Sequence, residues 1–194
     1  MPPQALEFRD ASWLNPPPQQ HRDADRLRFL VGPATDFWRH THYGFCRDNG
    51  HALLCPVSAD FDAELWLRYV PEAQYDQAGL MLRIDAENWL KTAVEHEPEA
   101  KPRLGVVVTQ GPGSDWSTQD LEQPPGLHGF RLERRGRDLL IQARLGAQPR
   151  WQQLRIVRLA ALGTEPRLGI GPYACCPQGA GFEVELLSWQ LQAR

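Results

Sequence analysis

Short runs rich in Val, Ile, Leu and aromatic residues recur along the chain, separated by Gly and Pro, and positions spaced for an apolar helical stripe are scarce. LRFLVG, HALLCPV, AELWLRYV, GLMLRID, NWLKTAVEHE, RLGVVVTQ, GFRLERRG, DLLIQARLG, WQQLRIVRL, RLGIGPYAC and GFEVELLSWQ each read as a strand. So many strands joined by turns predict an all-β protein of two packed antiparallel sheets. Residues 21–31, HRDADRLRFLV, read mostly as strand. NPPP at 15–18 excludes a regular helix or a central strand, because proline has no N–H and restricts its neighbour, so the N-terminal stretch is expected on the surface. No linker, low-complexity block or internal repeat divides residues 1–194, which predicts a single sandwich domain.

One hairpin carries most of the functional signal. Strand side chains alternate between faces, so Leu80, Leu82 and Ile84 point one way and Met81, Arg83 and Asp85 the other. After a turn near Ala86–Asn88, Leu90, Thr92 and Val94 return on the buried side. Trp89, Lys91, Ala93 and Glu95 then share the face of Arg83. Such a face is either solvated and crossed by weak ion pairs, or a ligand groove in which an indole stacks on a ring while charged groups hydrogen-bond its hydroxyls. Gln74, Tyr75, Asp76 and Gln77 are candidates for the rim of that groove.

Composition narrows the partners. Lys and Arg total 21 against 24 Asp and Glu, a formal net charge of −3, so no overall basic field exists to collect nucleic acid or anionic lipid. No run of about 18 apolar residues could span a bilayer, and MPPQALEFRDASW lacks the apolar core of a secretory signal, so a cytoplasmic location is expected. Cys46, Cys55, Cys175 and Cys176 have no paired spacing and are expected to be thiols.

TDFWRHTHYGF (35–45), YDQAGLMLR (75–83), NWLKTAVE (88–95), VVVTQGPGSDWS (106–117), RWQQLR (150–155) and CCPQGAGFEV (175–184) follow one another along the chain. This ordered set resembles a domain-of-unknown-function family that includes the yeast regulation-of-enolase protein. The resemblance covers nearly the whole chain. It implies a concanavalin A-like jelly-roll β-sandwich, of the kind seen in lectins and glucanases, with a concave sheet face on which such proteins usually bind glycans. It implies no activity.

Glycosidases of this fold place acids at every second position of a strand, and DFDAE offers Asp60, Asp62 and Glu64, with Phe61, Ala63 and Leu65 facing the core. A turn followed by a solvated strand edge is the plainer reading. His40 and His42 form H-x-H, and in an extended run both rings would share a face, but no further ligand is identified and no metal is expected. Trp38 and Tyr43 beside them are candidate aromatic walls. Asp115 and Trp116 in SDWS are expected on a loop at a sheet edge. Gly169/Gly171 and Gly179/Gly181 lack the features of a phosphate loop and read as places of close backbone packing.

The favoured reading is a non-catalytic binding or regulatory protein that recognises a carbohydrate or small polar metabolite without a cofactor. Its expected ligand-binding residues are Trp38, Tyr43, Tyr75, Gln77, Arg83, Trp89, Lys91, Glu95, Asp115 and Trp116. The alternatives are a glycan-active hydrolase using paired carboxylates and a protein-interaction module that regulates a glycolytic enzyme.

Overall fold

The computed structural model describes residues 6–23, 25–163 and 168–194. In chain order the first strands are β1 (Ser12–Leu14), β2 (Gln19–Arg22), β3 (Leu27–Val31), β4 (Phe37–Arg39), β5 (Cys46–Asp48) and β6 (His51–Val57). β7 (Phe61–Tyr69), β8 (Gln77–Arg83), β9 (Asn88–Glu95), β10 (Arg103–Gln110) and β11 (Gly113–Asp120) follow. The chain continues through β12 (His128–Arg135), β13 (Asp138–Leu145), β14 (Gln152–Arg158), a short 3₁₀ turn at Ala160–Gly163, β15 (Leu168–Cys175) and β16 (Phe182–Ala193).

Two large antiparallel sheets form a jelly-roll-like sandwich. The first has the order β1-β6-β15-β8-β9-β10-β11, and the second β14-β13-β12-β7-β16-β3-β2. Alternation explains the core between them. Leu80, Leu82, Leu90, Val94, Val106 and Val108 of the first sheet meet Phe61, Leu65, Leu67, Phe130, Leu132 and Ile141 of the second. Ile84 packs against this core while partly exposed. Thr92, the polar member of the inward set, donates its hydroxyl to the Gly105 carbonyl at 2.9 Å, which removes the cost of burying it.

Two features depart from the reading of the sequence. SDWS belongs to a strand: β11 pairs along β10 from Arg103↔Asp120 to Gln110↔Gly113 and forms an edge of the first sheet. The second departure matters more. β4 and β5 form a separate two-stranded ribbon that covers the outer face of the first sheet. The Arg39 amide donates to Ser114 Oγ at 3.0 Å, its Nε to the Gly111 carbonyl at 3.1 Å, and its guanidinium pairs with Glu87 at 2.7 Å. Phe37 is thereby set 6.2 Å from the Trp89 ring and 6.3 Å from that of Tyr173. With Trp38, Met81 and Val107 these rings make a second apolar cluster on the face that alternation leaves polar. Burying an aromatic side chain of this kind contributes about 1.5–3 kcal/mol, enough to hold three-residue strands that have little stability alone.

Candidate functional site

Strand register builds the floor of a cavity beside this ribbon. Met81, Lys91, Val107 and Trp116 lie opposite one another across β8 to β11, and Gln77 lies opposite Glu95. Between these rungs stand Gly79, Ala93 and Gly105, where side chains are absent or small. A Cβ at Gly105 would sit 2.8 Å from Trp116 Nε1, so glycine lets the indole lie across β10. The resulting cavity is about 300 Å³, the lower end of the range for small-molecule sites.

Lys91 is only 2% exposed, and its Nζ stands 3.4 Å from Asp36 Oδ1 and 5.8 Å from the centre of the Tyr173 ring. Burial disfavours its charge, but the neighbouring acidic groups, Asp36 foremost, together outweigh that and hold the ammonium pKa above its ordinary value. Asp36 is fixed at the base of the ribbon. Its Oδ1 also accepts the Phe37 amide at 2.8 Å, its own amide donates to Asn49 Oδ1 at 2.9 Å, and its carbonyl accepts the Asn49 and Gly50 amides. Glu95 is 7% exposed and its carboxyl group makes no hydrogen bond to another described residue. Burial pushes its pKa up to about 7; Asp36 and Glu97 push the same way, while Lys91 and Arg103 pull it down. The cavity therefore holds a fixed cation beside a carboxyl group that titrates near neutrality.

The walls are aromatic. Trp38 donates its indole N–H to the Thr41 carbonyl at 3.0 Å and meets both Tyr43 and Trp116 edge to face, with ring centres 5.5 and 6.3 Å apart. Tyr43 is 47% exposed and Phe45 39%, and the two stack at 6.0 Å, with the Arg47 guanidinium over the Phe45 ring. Opposite them Tyr173 donates to Gln77 Oε1 at 2.9 Å, and Gln77 donates onward to the Tyr75 carbonyl. This chain of bonds fixes the polar end of the floor. Trp116 Nε1 is buried without a partner among the described residues, an uncommon cost in a folded protein.

Of the residues singled out by sequence, Trp38, Tyr43, Tyr75, Gln77, Lys91, Glu95 and Trp116 line this one cavity. Three others do not. Trp89 is 1% exposed and donates its indole N–H to the Ala86 carbonyl at 3.2 Å, so its ring is core beneath Phe37 and not a stacking surface. Arg83 forms two 2.7 Å bonds to Asp48 and lies over Phe37, which ties the ribbon down. Asp115 faces a shallower depression beyond the Trp38–Trp116 wall and pairs with Arg155 at 3.1 Å. At the rim, Gln74 is bonded to Glu97, and Asp76 is fully buried, accepting the Glu72 and Ala73 amides.

The acidic trio lies on the far face of the second sheet, committed to arginines. Glu64 pairs with Arg131 at 2.6 Å and accepts the Trp66 indole N–H, Asp62 pairs with Arg135 and Arg194, and Asp60 accepts the Gly136 amide. Its arginine partners hold Asp62 below its usual carboxylate range, opposite to what a general acid requires. His40 and His42 are not extended: both have positive φ, 51° and 62°, within the tight turn that joins β4 to β5. No group of three or more His, Cys, Asp or Glu among the described residues is placed to hold a metal. Sequence reasoning missed Asp36, Phe45, Arg47, Pro177 and Gln178, which complete the lining. Only the ribbon's fold-over brings Asp36, Phe45 and Arg47 to Lys91.

The chain belongs to the family described as "Protein of unknown function (DUF1349)", whose model matches residues 13–194. It is 35% identical over 187 residues to "Regulation of enolase protein 1" of Saccharomyces cerevisiae, covering 96% of this chain and 91% of that protein. A crystal structure of a functionally unknown protein from Saccharomyces cerevisiae superposes with a TM-score of 0.88 at 33% identity, over 97% of this chain and 99% of the other. A GH43 protein, the BlXynB mutant K247S from Bacillus licheniformis, shares the fold at 14% identity with a TM-score of 0.74; the match covers 99% of this chain and 38% of that one.

Proposed function

We propose that this is a non-catalytic binding or regulatory protein that takes a small carbohydrate or carbohydrate-like metabolite in the cavity beside the β4–β5 ribbon. The observation that carries the reading is the pairing of Lys91 and Glu95, both buried, both facing the cavity and both with unused hydrogen-bonding capacity. Stability alone does not favour burying such groups, because each loses hydration that a ligand could replace. Sugars offer the matching chemistry: a C–H face that packs on Trp116, Trp38 or Tyr43, and hydroxyls that reach Lys91, Glu95 and Gln77. The yeast relative's name supports a regulatory role, in which occupancy of the cavity is read out on the exposed Tyr43 and Phe45 of the ribbon turn.

The test is a fluorescence-monitored screen of monosaccharides, oligosaccharides and sugar phosphates against the wild type, Trp116→Phe and Lys91→Met. A ligand of the cavity changes the emission of the wild type, the change is diminished in Trp116→Phe, and it is absent from a folded Lys91→Met protein. A response that is identical in all three proteins contradicts the assignment. Release of reducing sugar from an oligosaccharide, lost in Glu95→Gln, would instead favour a hydrolase.

A further inference from the structure

The charges around the cavity are unequal in their commitments, and this bears on the class of ligand; the inference rests on the cavity being the binding site. Lys91 has three N–H donors and, among the described residues, one acceptor, at 3.4 Å. Arg47, at the mouth, donates to the Ala34 carbonyl at 3.3 Å and lies over the Phe45 ring, with no carboxylate partner among the described residues. Its neighbours differ, since Arg39 pairs with Glu87 and Arg83 with Asp48. On the acidic side, Asp36 is occupied by Lys91 and the Phe37 amide.

Glu95 decides the balance. When it is ionised, the two cations and two carboxylates of the lining cancel; when it is protonated, the cavity keeps one net positive charge. The charged groups that face it are Lys91 on its own strand, Glu97 just beyond it, Arg103 directly opposite on β10 and Asp36 from the ribbon. Tyr69, Tyr75, Tyr173 and Cys175 also approach it, and burial raises the pKa of each, so they are uncharged at neutral pH. A negative ligand group arriving at Lys91 and Arg47 adds to the repulsion from Asp36 and Glu97, and so favours the protonated carboxyl.

We propose that the ligand bears an oxyanion, a phosphate or a carboxylate, which is held by Lys91 and Arg47, and that its binding is coupled to uptake of one solvent proton by Glu95. The protonated carboxyl then donates a hydrogen bond where a carboxylate would repel. A ring carrying the oxyanion rests against the aromatic wall.

Calorimetric titration with glucuronate, glucose 6-phosphate and glucose tests this on the wild type, Lys91→Met, Arg47→Gln and Glu95→Gln. One or both anions bind at least about tenfold more tightly than glucose, and Arg47→Gln narrows that preference. Glucuronate serves as the pH probe because its carboxylate stays ionised across the neutral range. Its affinity for the wild type falls above about pH 7, by up to about tenfold per unit, whereas Glu95→Gln binds it without that slope. Binding by one anion alone identifies its oxyanion as the source. Glucose binding as tightly as both anions, and lost in Lys91→Met, overturns the oxyanion while leaving the cavity as the site. Anion affinity that is independent of pH in the wild type overturns the proton coupling, and binding of none of the three overturns both readings.

Discussion

Lys91 Nζ lies 3.4 Å from Asp36 Oδ1, a buried ion pair that joins the middle of the first sheet to the base of the ribbon covering it. Removing one partner of such a pair strands the other without water. Asp36→Asn is expected to cost about 3–5 kcal/mol in urea denaturation. Lys91→Met, which keeps the volume and leaves Asp36 its Phe37 amide, costs less. The double variant loses less than the sum of the singles; strict additivity in that cycle would show that the pair is not coupled.

Glu95 makes stability depend on pH in an unusual direction. Its folded pKa is about 7, raised from the usual 4.5, so between these values the folded state holds a proton that the unfolded state has lost. Stability contributed by the protonated form is therefore complete below about pH 4.5, is lost as pH rises toward 7, and changes no further above it. The total is on the order of 3 kcal/mol. Glu95→Gln should remove this decline; an unchanged pH profile in the variant would place the titration elsewhere.

His128 works in the opposite sense. Its ring stacks on Tyr69 with centres 4.7 Å apart, and burial pushes its pKa down from 6.5 to about 4. The unfolded state binds the proton first, so stability is lost as pH falls from about 6.5 to about 4. Comparing wild type with His128→Phe isolates the contribution through the slope of stability against pH, whatever the variant does to its level. An equal slope in both proteins would count against a neutral buried His128.

Asp62 and Glu64 should be dispensable for binding. Their arginine pairs are partly exposed on the face away from the cavity. Asp62→Asn or Glu64→Gln should cost about 1 kcal/mol or less and leave ligand titrations unchanged. A variant that stays folded and loses binding would relocate the site to the second sheet.

Local rules carried the sequence reading far in some places and failed in others. Period-two alternation needs only neighbouring residues, and it placed Leu80, Leu82, Leu90 and Val94 in the core and Lys91 and Glu95 together on the other face. It treated that face as one surface, open to solvent or ligand along its length. The ribbon divides it: Phe37 closes over Trp89 and Met81, Asp48 captures Arg83, and only the stretch between Lys91 and Glu95 stays open. β4 and β5 are three residues each, too short for alternation to register. Their docking depends on contacts with β11 and with the turn near Glu87, distant in sequence from both strands. Asp36 carried the one readable hint, an acid just before an aromatic run that also contains Trp38 and Tyr43.

The most direct measurement is a crystal structure of the protein soaked in glucuronate. The expected density lies between Lys91, Glu95 and the Trp38–Trp116 wall, with the sugar ring against Trp116 or Tyr43 and its carboxylate within hydrogen-bond distance of Lys91 Nζ. Density confined to the opposite face, beside Glu64 and Trp66, or an empty cavity at a saturating concentration, would contradict a binding site beside the ribbon.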